Sequence, residues 1–187
     1  MPNAEACLDR LAGRKYYSVL DGFSGYYVVE LTPRARDYTA FVTPFGKFRY
    51  TVMPFGITNA PPIYALLNQR TFGPLMGTEV EVFFDDCGVG SGSFEDHMST
   101  LEKCFQCYKK AGMSLNPKKC SFLQSSIIFL GHRVSSKGLE PDPGKIEKIR
   151  SWERPTDTLG VQRFLGFVNY YRRFIKVLQS APSLYVL

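Results

Sequence analysis

No stretch of the 187-residue sequence comes near the roughly 18 uninterrupted apolar residues that a membrane span needs, so no membrane partner is expected. The N-terminus, MPNAEACLDRLAGRK, lacks a basic leader and an apolar core and carries acids at Glu5 and Asp9, which argues against a secretory or organellar address. A soluble protein of the cytoplasm or nucleus is expected. There is no internal repeat and no low-complexity tract, and the 12 prolines and 16 glycines follow no period, which excludes repeat architectures. The five cysteines are an odd number, and without a secretory signal they read as reduced thiols rather than a disulfide framework. Cys104 and Cys107 form a CxxC inside an amphipathic helical pattern, with only Cys87, His97 and Cys120 scattered elsewhere as companions, so zinc is not expected.

What is present points to one globular domain with at most a small appendage. A hydrophobic fraction of 44% against 21% charged residues excludes disorder as the main state. Twenty-three Lys and Arg against 17 Asp and Glu leave a net charge of +6, which favours a polyanionic partner, although basic ribosomal proteins share the trait.

The pattern along the chain alternates strands and helices. Asn3 caps a short helix with Cys7, Leu8 and Leu11 on one face, ended by Gly13. Tyr16 to Leu20 reads as a strand, Asp21 to Gly25 as a tight segment, and Tyr26 to Leu31 as a second strand. Thr39 to Thr43 and Lys47 to Met53 flank Pro44-Phe45-Gly46 as a hairpin. Asn59 and the prolines after it open a helix whose stripe is Ile63, Leu66, Leu67 and Phe72. Glu79 to Phe84 and Cys87 to Val89 form a hairpin with Asp85-Asp86 at its tip. Ser93 and Asp96 make a capping box for a helix through Met98, Leu101, Phe105 and Tyr108 that Gly112 ends. Short strands fit Ser121 to Leu123, Ile127 to Leu130 and His132 to Ser135, with a turn at Ser136 to Gly138. Asp142 and Pro143 open a helix with Ile146, Ile149 and Trp152 on one side, and Pro155 separates it from a helix over Leu159 to Ile175 whose polar face is basic. The fold class is α+β, an antiparallel sheet with helices packed on one face.

Three acids interrupt apolar strands: Asp21 after YYSVL, and Asp85 and Asp86 inside VFFDDCGV. A carboxylate near a core stays ionised only if it is paired or binds a metal, and adjacent aspartates raise each other's pKa unless a cation lies between them. Magnesium prefers oxygen ligands and keeps phosphate oxygens or waters, so carboxylates on neighbouring strands suit phosphoryl transfer. Spacing alone is equally consistent with a plain hairpin turn at Asp85-Asp86 and a turn cap at Asp21.

Five blocks in order break that tie. YYSVLDGFSGYYVVEL, TAFVTPFGKFRYTVMPFGITNAP, VFFDDCGV, FLGHRVSSKGLEPDPGKIEKIRSW and RFLGFVNYYRRFI together resemble the reverse transcriptase domain of gypsy-like long-terminal-repeat retrotransposons, from about Cys7 to Ile175. The resemblance implies a palm with partial fingers over residues 1–140 and the start of a thumb or connection-like helical region over 141–187. It implies an RNA-directed DNA polymerase that adds dNTPs to a primer 3′-OH on an RNA or DNA template, with two Mg2+ ions as cofactors and Mn2+ as a substitute. Carried over by position, Asp21, Asp85 and Asp86 are catalytic, and with Gly22 they form the metal site. Gly22, Tyr26, Pro54, Phe55, Gly56, Phe83 and Lys119 line the nucleotide, with Tyr26 excluding a 2′-hydroxyl. Phe84, Leu130, Gly131, His132, Arg163, Arg172 and Arg173 face nucleic acid, the hairpin Phe129 to His132 holding the primer terminus. Lys118 and Lys119 sit where the family carries a basic residue.

The sequence departs from the family at three places. Phe83 stands where the box usually has Tyr. Tyr38 stands where relatives often carry a basic residue, with Arg34 and Arg36 nearby as substitutes. The N-terminal fingers that bring Arg and Lys to the triphosphate are not seen, so a polyprotein fragment or decayed copy is expected, with ribonuclease H, integrase and protease domains as partners. The alternative is an inactive fragment that binds nucleic acid or a protein partner. Nucleotide cyclases share a palm-like sheet but lack the VMPFGITNAP block.

Overall fold

Each well-signalled cap starts a helix where the sequence places it. In the computed structural model, which describes residues 3–23 and 25–176, the Asn3 side chain accepts from the Glu5 amide at 2.9 Å and opens α1, Ala4–Leu11. Strand β1 follows at Tyr16–Phe23, then a 3-10 turn at Gly25–Val28 and the short helix α2 at Pro33–Asp37. The hairpin β2, Phe41–Thr43, and β3, Gly46–Phe48, precedes α3 at Ala60–Phe72. Next come β4, Val80–Phe83, and β5, Asp86–Ser91, then α4 at Phe94–Lys110, where Ser93 accepts from the Asp96 amide at 3.2 Å. The strands β6, Ser114–Leu115, β7, Ser121–Gln124, β8, Ser126–Phe129, β9, His132–Ser135, and β10, Gly138–Pro141, lead to α5, Pro143–Arg150, α6, Thr158–Tyr170, and a 3-10 turn at Arg172–Phe174.

The central sheet is antiparallel in the order β4-β5-β1, with β6 and β7 on the far side of β1; β8, β9 and β10 form a second sheet. Strand alternation sorts side chains to two cores. Leu20, Val80, Val82, Cys87 and Val89 pack with Tyr64 and Phe72 of α3 and Leu101, Cys104 and Tyr108 of α4. Tyr17 packs on the other side with Leu8 and Leu11 of α1 and Ile127, Phe129 and Val134 of the second sheet. Helices α3 and α4 thus cover one face, as expected, while α1 and the second sheet close the other. On that side Arg10 of α1 grips buried Glu81 with two nitrogens, one at 2.7 Å. Among the described residues no helix is long and apolar enough to cross a membrane.

Four expected features differ. Tyr26 to Leu31 is not a strand: the chain coils at Gly25–Val28 and pairs only at its end, where Val29 and Leu31 exchange backbone bonds with Met53 and Thr51. Aromatic packing at Tyr26 overrides strand propensity there. The hairpin strand expected to Met53 stops at Phe48. Asn59 makes no side-chain cap, and α3 buries Ala60, Tyr64, Asn68 and Phe72 while Ile63 and Leu66 of the apolar stripe are exposed. The last helix ends at Tyr170, because Tyr171 turns inward.

Buried His97 ties α4 to the sheet. Its ring nitrogens lie 2.8 Å from Ser18 Oγ and 3.1 Å from Ser91 Oγ, and burial holds its pKa below the usual value. The unfolded chain therefore binds the proton more readily than the folded one, so stability is lost as pH falls below about 6.5. Thermal melts between pH 7 and 5 should show a slope of up to about 1.4 kcal/mol per pH unit from this group. His97→Gln should lack that component, and an identical slope in the variant would refute the assignment.

Candidate active site

The acids expected from the sequence converge at the junction of β1 and the β4–β5 hairpin. Asp21 and Asp86 are direct cross-strand partners, and the Gly22 amide donates to the Asp85 carbonyl at 3.1 Å. The tip of the hairpin is Phe84-Asp85 rather than Asp85-Asp86, since Phe83 pairs with Asp86. Phe84 has φ +52, a conformation uncommon for a residue with a side chain. Buried Asn68 of α3 donates from Nδ2 to the Phe84 carbonyl at 2.8 Å, which holds this backbone in place.

The electrostatics are those of an incomplete charge balance. Burial raises the Asp85 pKa first and repulsion from Asp21 adds to it, while the neighbouring Tyr64 hydroxyl and Lys119 oppose the rise. Burial likewise raises Asp86, with Asp21 and Asp85 repelling it. Lys119 Nζ lies 3.5 Å from Asp21 Oδ2 and supplies a cation at the rim. Asp21 is anchored through its backbone: its amide donates to Cys120 Sγ at 3.4 Å and its carbonyl accepts from Asn116 at 2.9 Å. Asp85 Oδ1 is buried without a hydrogen-bond partner. An orphaned carboxylate oxygen among three acids fits a hard divalent cation. Among the described residues no three His, Cys, Asp or Glu side chains already stand as a complete ligand set.

A cavity of about 330 Å3 opens over these groups, lined by Asp21, Gly22, Phe23, Gly25, Phe55, Asp85, Asn116 and Lys119. Tyr26 stands behind Phe55, edge-on at 5.1 Å, and leans on Tyr64 at 5.0 Å. Pro54 is buried and Gly56 has φ +87, so the Pro54-Phe55-Gly56 turn presents the Phe55 ring to the cavity. Phe83 packs edge-on to Phe84 at 4.8 Å.

The other expected site residues fall elsewhere. Leu130 and Gly131 form the β8–β9 turn, while His132 is buried among aromatic rings and does not face solvent. Arg163 is exposed on α6, and Arg173 pairs with Asp9 of α1 at 3.0 Å. Lys118 is exposed beside Lys119. Ser24, expected in the turn beside Gly25, lies outside the described residues. Sequence reasoning missed Tyr64, Asn68 and Asn116. The signal for Tyr64 and Asn68 was the spacing of Ala60, Tyr64, Asn68 and Phe72 at every fourth position, one helix face that a search for purely apolar stripes passes over; Asn116, which acts through its backbone amide, left none.

A family model described as reverse transcriptase (RNA-dependent DNA polymerase) matches residues 1–134. The chain belongs to the reverse transcriptase family. This reverse transcriptase domain is 37% identical over 177 residues to the retrovirus-related Pol polyprotein from transposon 412 of Drosophila melanogaster, covering 94% of the chain and 14% of that protein. It is 32% identical over 175 residues to the transposon Tf2-3 polyprotein of Schizosaccharomyces pombe, covering 94% and 13%. The domain thus spans about one-seventh of the length of these curated relatives. Among solved structures it is similar to the foamy viral protease-reverse transcriptase in complex with an RNA/DNA hybrid, with a TM-score of 0.82 at 25% identity over 95% of this chain and 25% of that one. A complex of the foamy viral protein with double-stranded DNA shares the fold at a TM-score of 0.86. Reverse transcriptases as a family work with divalent metal ions.

Proposed function

We propose that this domain is the catalytic palm of a gypsy-like retrotransposon polymerase that extends a primer on an RNA or DNA template. Residues 1–140 would form the palm with partial fingers and residues 141–187 the start of the thumb. The observation that carries the reading is that Asp21 and Asp85 line one cavity, with Asp86 paired to Asp21 across the strands and a buried oxygen of Asp85 left unpaired.

Asp21, Asp85 and Asp86 would hold two Mg2+ ions, with the Gly22 backbone beside them. Bound there, magnesium supplies Lewis-acid activation of the primer hydroxyl and neutralises the leaving pyrophosphate. The protein's own groups do the rest. Lys119 offsets carboxylate charge at the rim, and its ammonium would meet an incoming triphosphate. Phe55 supplies an apolar wall for the nucleotide, and Tyr26 stiffens that wall from behind. Partner domains of a longer polyprotein, such as ribonuclease H, integrase and protease, fit the short span of this chain against its relatives.

The test is primer extension on a poly-rA template with and without Mg2+, using this chain and a version extended upstream. Magnesium-dependent extension supports the reading. Duplex binding without extension in either form overturns it in favour of a binding module. In the active form, Tyr26→Val should raise ribonucleotide over deoxynucleotide incorporation about tenfold, equivalent to about 1.4 kcal/mol of lost discrimination. The ratio of kcat/KM for the two sugars measures it. An unchanged ratio with catalysis preserved would make Tyr26 a packing residue only.

A further inference from the structure

The turn between β8 and β9 is held from outside its own sheet. Phe129 and His132 are paired, so Leu130 and Gly131 are the two central residues of a tight hairpin, with φ +46 and +64. Such a turn needs left-handed backbone at both positions. Gly131 adopts it freely; Leu130 does not, since its Cβ crowds the carbonyl in that region. A strained residue persists only where its surroundings over-determine it.

Both carbonyls of the turn are taken by consecutive tyrosines 40 residues downstream. Tyr170 donates its hydroxyl to the Leu130 carbonyl and Tyr171 donates to the Gly131 carbonyl, each at 2.7 Å. Successive residues of a helix point about 100° apart, so two neighbours reach one turn only if the helix breaks between them. It does: α6 ends at Tyr170, and Tyr171 leaves helical geometry with φ −103 and ψ 17. His132 completes the grip. Its Nδ1 lies 2.7 Å from the Leu130 carbonyl, which can only accept, and its ring lies 5.3 Å from each tyrosine ring and 5.7 Å from Phe174. A methyl at Gly131 would sit 3.4 Å from the Tyr170 ring, so the phenols pack directly on the turn. The Arg173–Asp9 ion pair pins the same segment to α1.

We infer that Tyr170 and Tyr171 are positioning residues that clamp the Leu130-Gly131 turn and thereby set how a primer 3′ terminus is held, a role that rests on the polymerase reading above. Tyr171 is buried and Tyr170 half exposed, so Tyr171 carries the larger share. A consequence is that the end of α6 and the hairpin move together as one unit.

Tyr170→Phe, Tyr171→Phe and the double variant keep the rings and remove only the hydroxyls. Amide hydrogen exchange over residues 129–133 should quicken about tenfold in Tyr171→Phe without any nucleic acid present. Affinity for a duplex with a recessed primer 3′ end, read by fluorescence anisotropy, should fall five- to tenfold in the double variant, with affinity for a blunt duplex unchanged. Equal losses on both duplexes, or unchanged exchange at the turn, would overturn the clamp. A wild-type chain that binds neither duplex would instead sink the polymerase reading, and the exchange measurement would then decide the clamp alone.

Discussion

Asp85→Asn is expected to lower primer extension by about a thousandfold or more, equivalent to about 4 kcal/mol of transition-state stabilisation, while raising the melting temperature of the metal-free protein. The two effects have one cause. Asp85 keeps a buried oxygen without a partner, close to two other carboxylates, and its pKa is raised by burial and by Asp21. A buried charge short of partners costs folding energy, and an amide of the same size removes the charge without opening a cavity. Asp21→Asn should act similarly on catalysis, because Asp21 faces Asp86 across the β1–β5 pair.

Metal titration separates this from a general loss of structure. Millimolar Mg2+ should raise the melting temperature of the wild-type protein, since a ligand that binds only the folded state stabilises it in proportion to RT ln(1 + [L]/Kd). The Asp85→Asn variant should start higher and gain little. A wild-type protein indifferent to Mg2+ and Mn2+, or an Asp85→Asn variant with undiminished extension, would remove the metal role from these acids.

Local signals were legible where one residue decides the backbone. Asn3, Ser93 and Asp142 accept amide hydrogens at the helix starts assigned to them, the Ser93 hydroxyl in turn donating to the Asp96 carboxylate, and Gly112 ends α4 in left-handed geometry. The acids were legible as candidates because each breaks an apolar strand. Spacing could not say that Asp21 would face Asp86, since that pairing is between strands 65 residues apart and is set by register. Tertiary contacts decided the rest. Tyr26 to Leu31 has strand composition, but the site needs Tyr26 against Phe55 and Tyr64, and the chain coils to put it there. Polar Asn68 occupies the buried face of α3, where a hydrophobic pattern expects an aliphatic residue, because it holds the Phe84 carbonyl. His132, expected to face nucleic acid, is instead enclosed by rings from a segment near residue 171, a contact no local window contains.

Gly25→Ala should be the most destructive single-methyl change near the site. Gly25 has no unusual backbone conformation; its constraint is space. A Cβ there would lie 2.1 Å from the Tyr64 hydroxyl oxygen and 2.5 Å from Cζ, well inside van der Waals contact. Tyr64 cannot step aside. Its ring is buried, leans on Tyr26 at 5.0 Å, and sits on the same helix face as Phe72 and Asn68. Overpacking of this kind costs about 1–3 kcal/mol or more, and relief must come by shifting α3 or the Gly25–Val28 turn. Either movement carries the Tyr64 hydroxyl away from Asp85 and loosens Asn68 on the Phe84 carbonyl, so catalysis should fall further than stability alone explains. A double-mutant cycle tests the cause. With Tyr64→Ala as background, the added methyl finds room, and its stability cost, read from urea midpoints, should drop to within about 0.5 kcal/mol of zero. A methyl equally costly in both backgrounds would show that the clash with Tyr64 is not what demands glycine here.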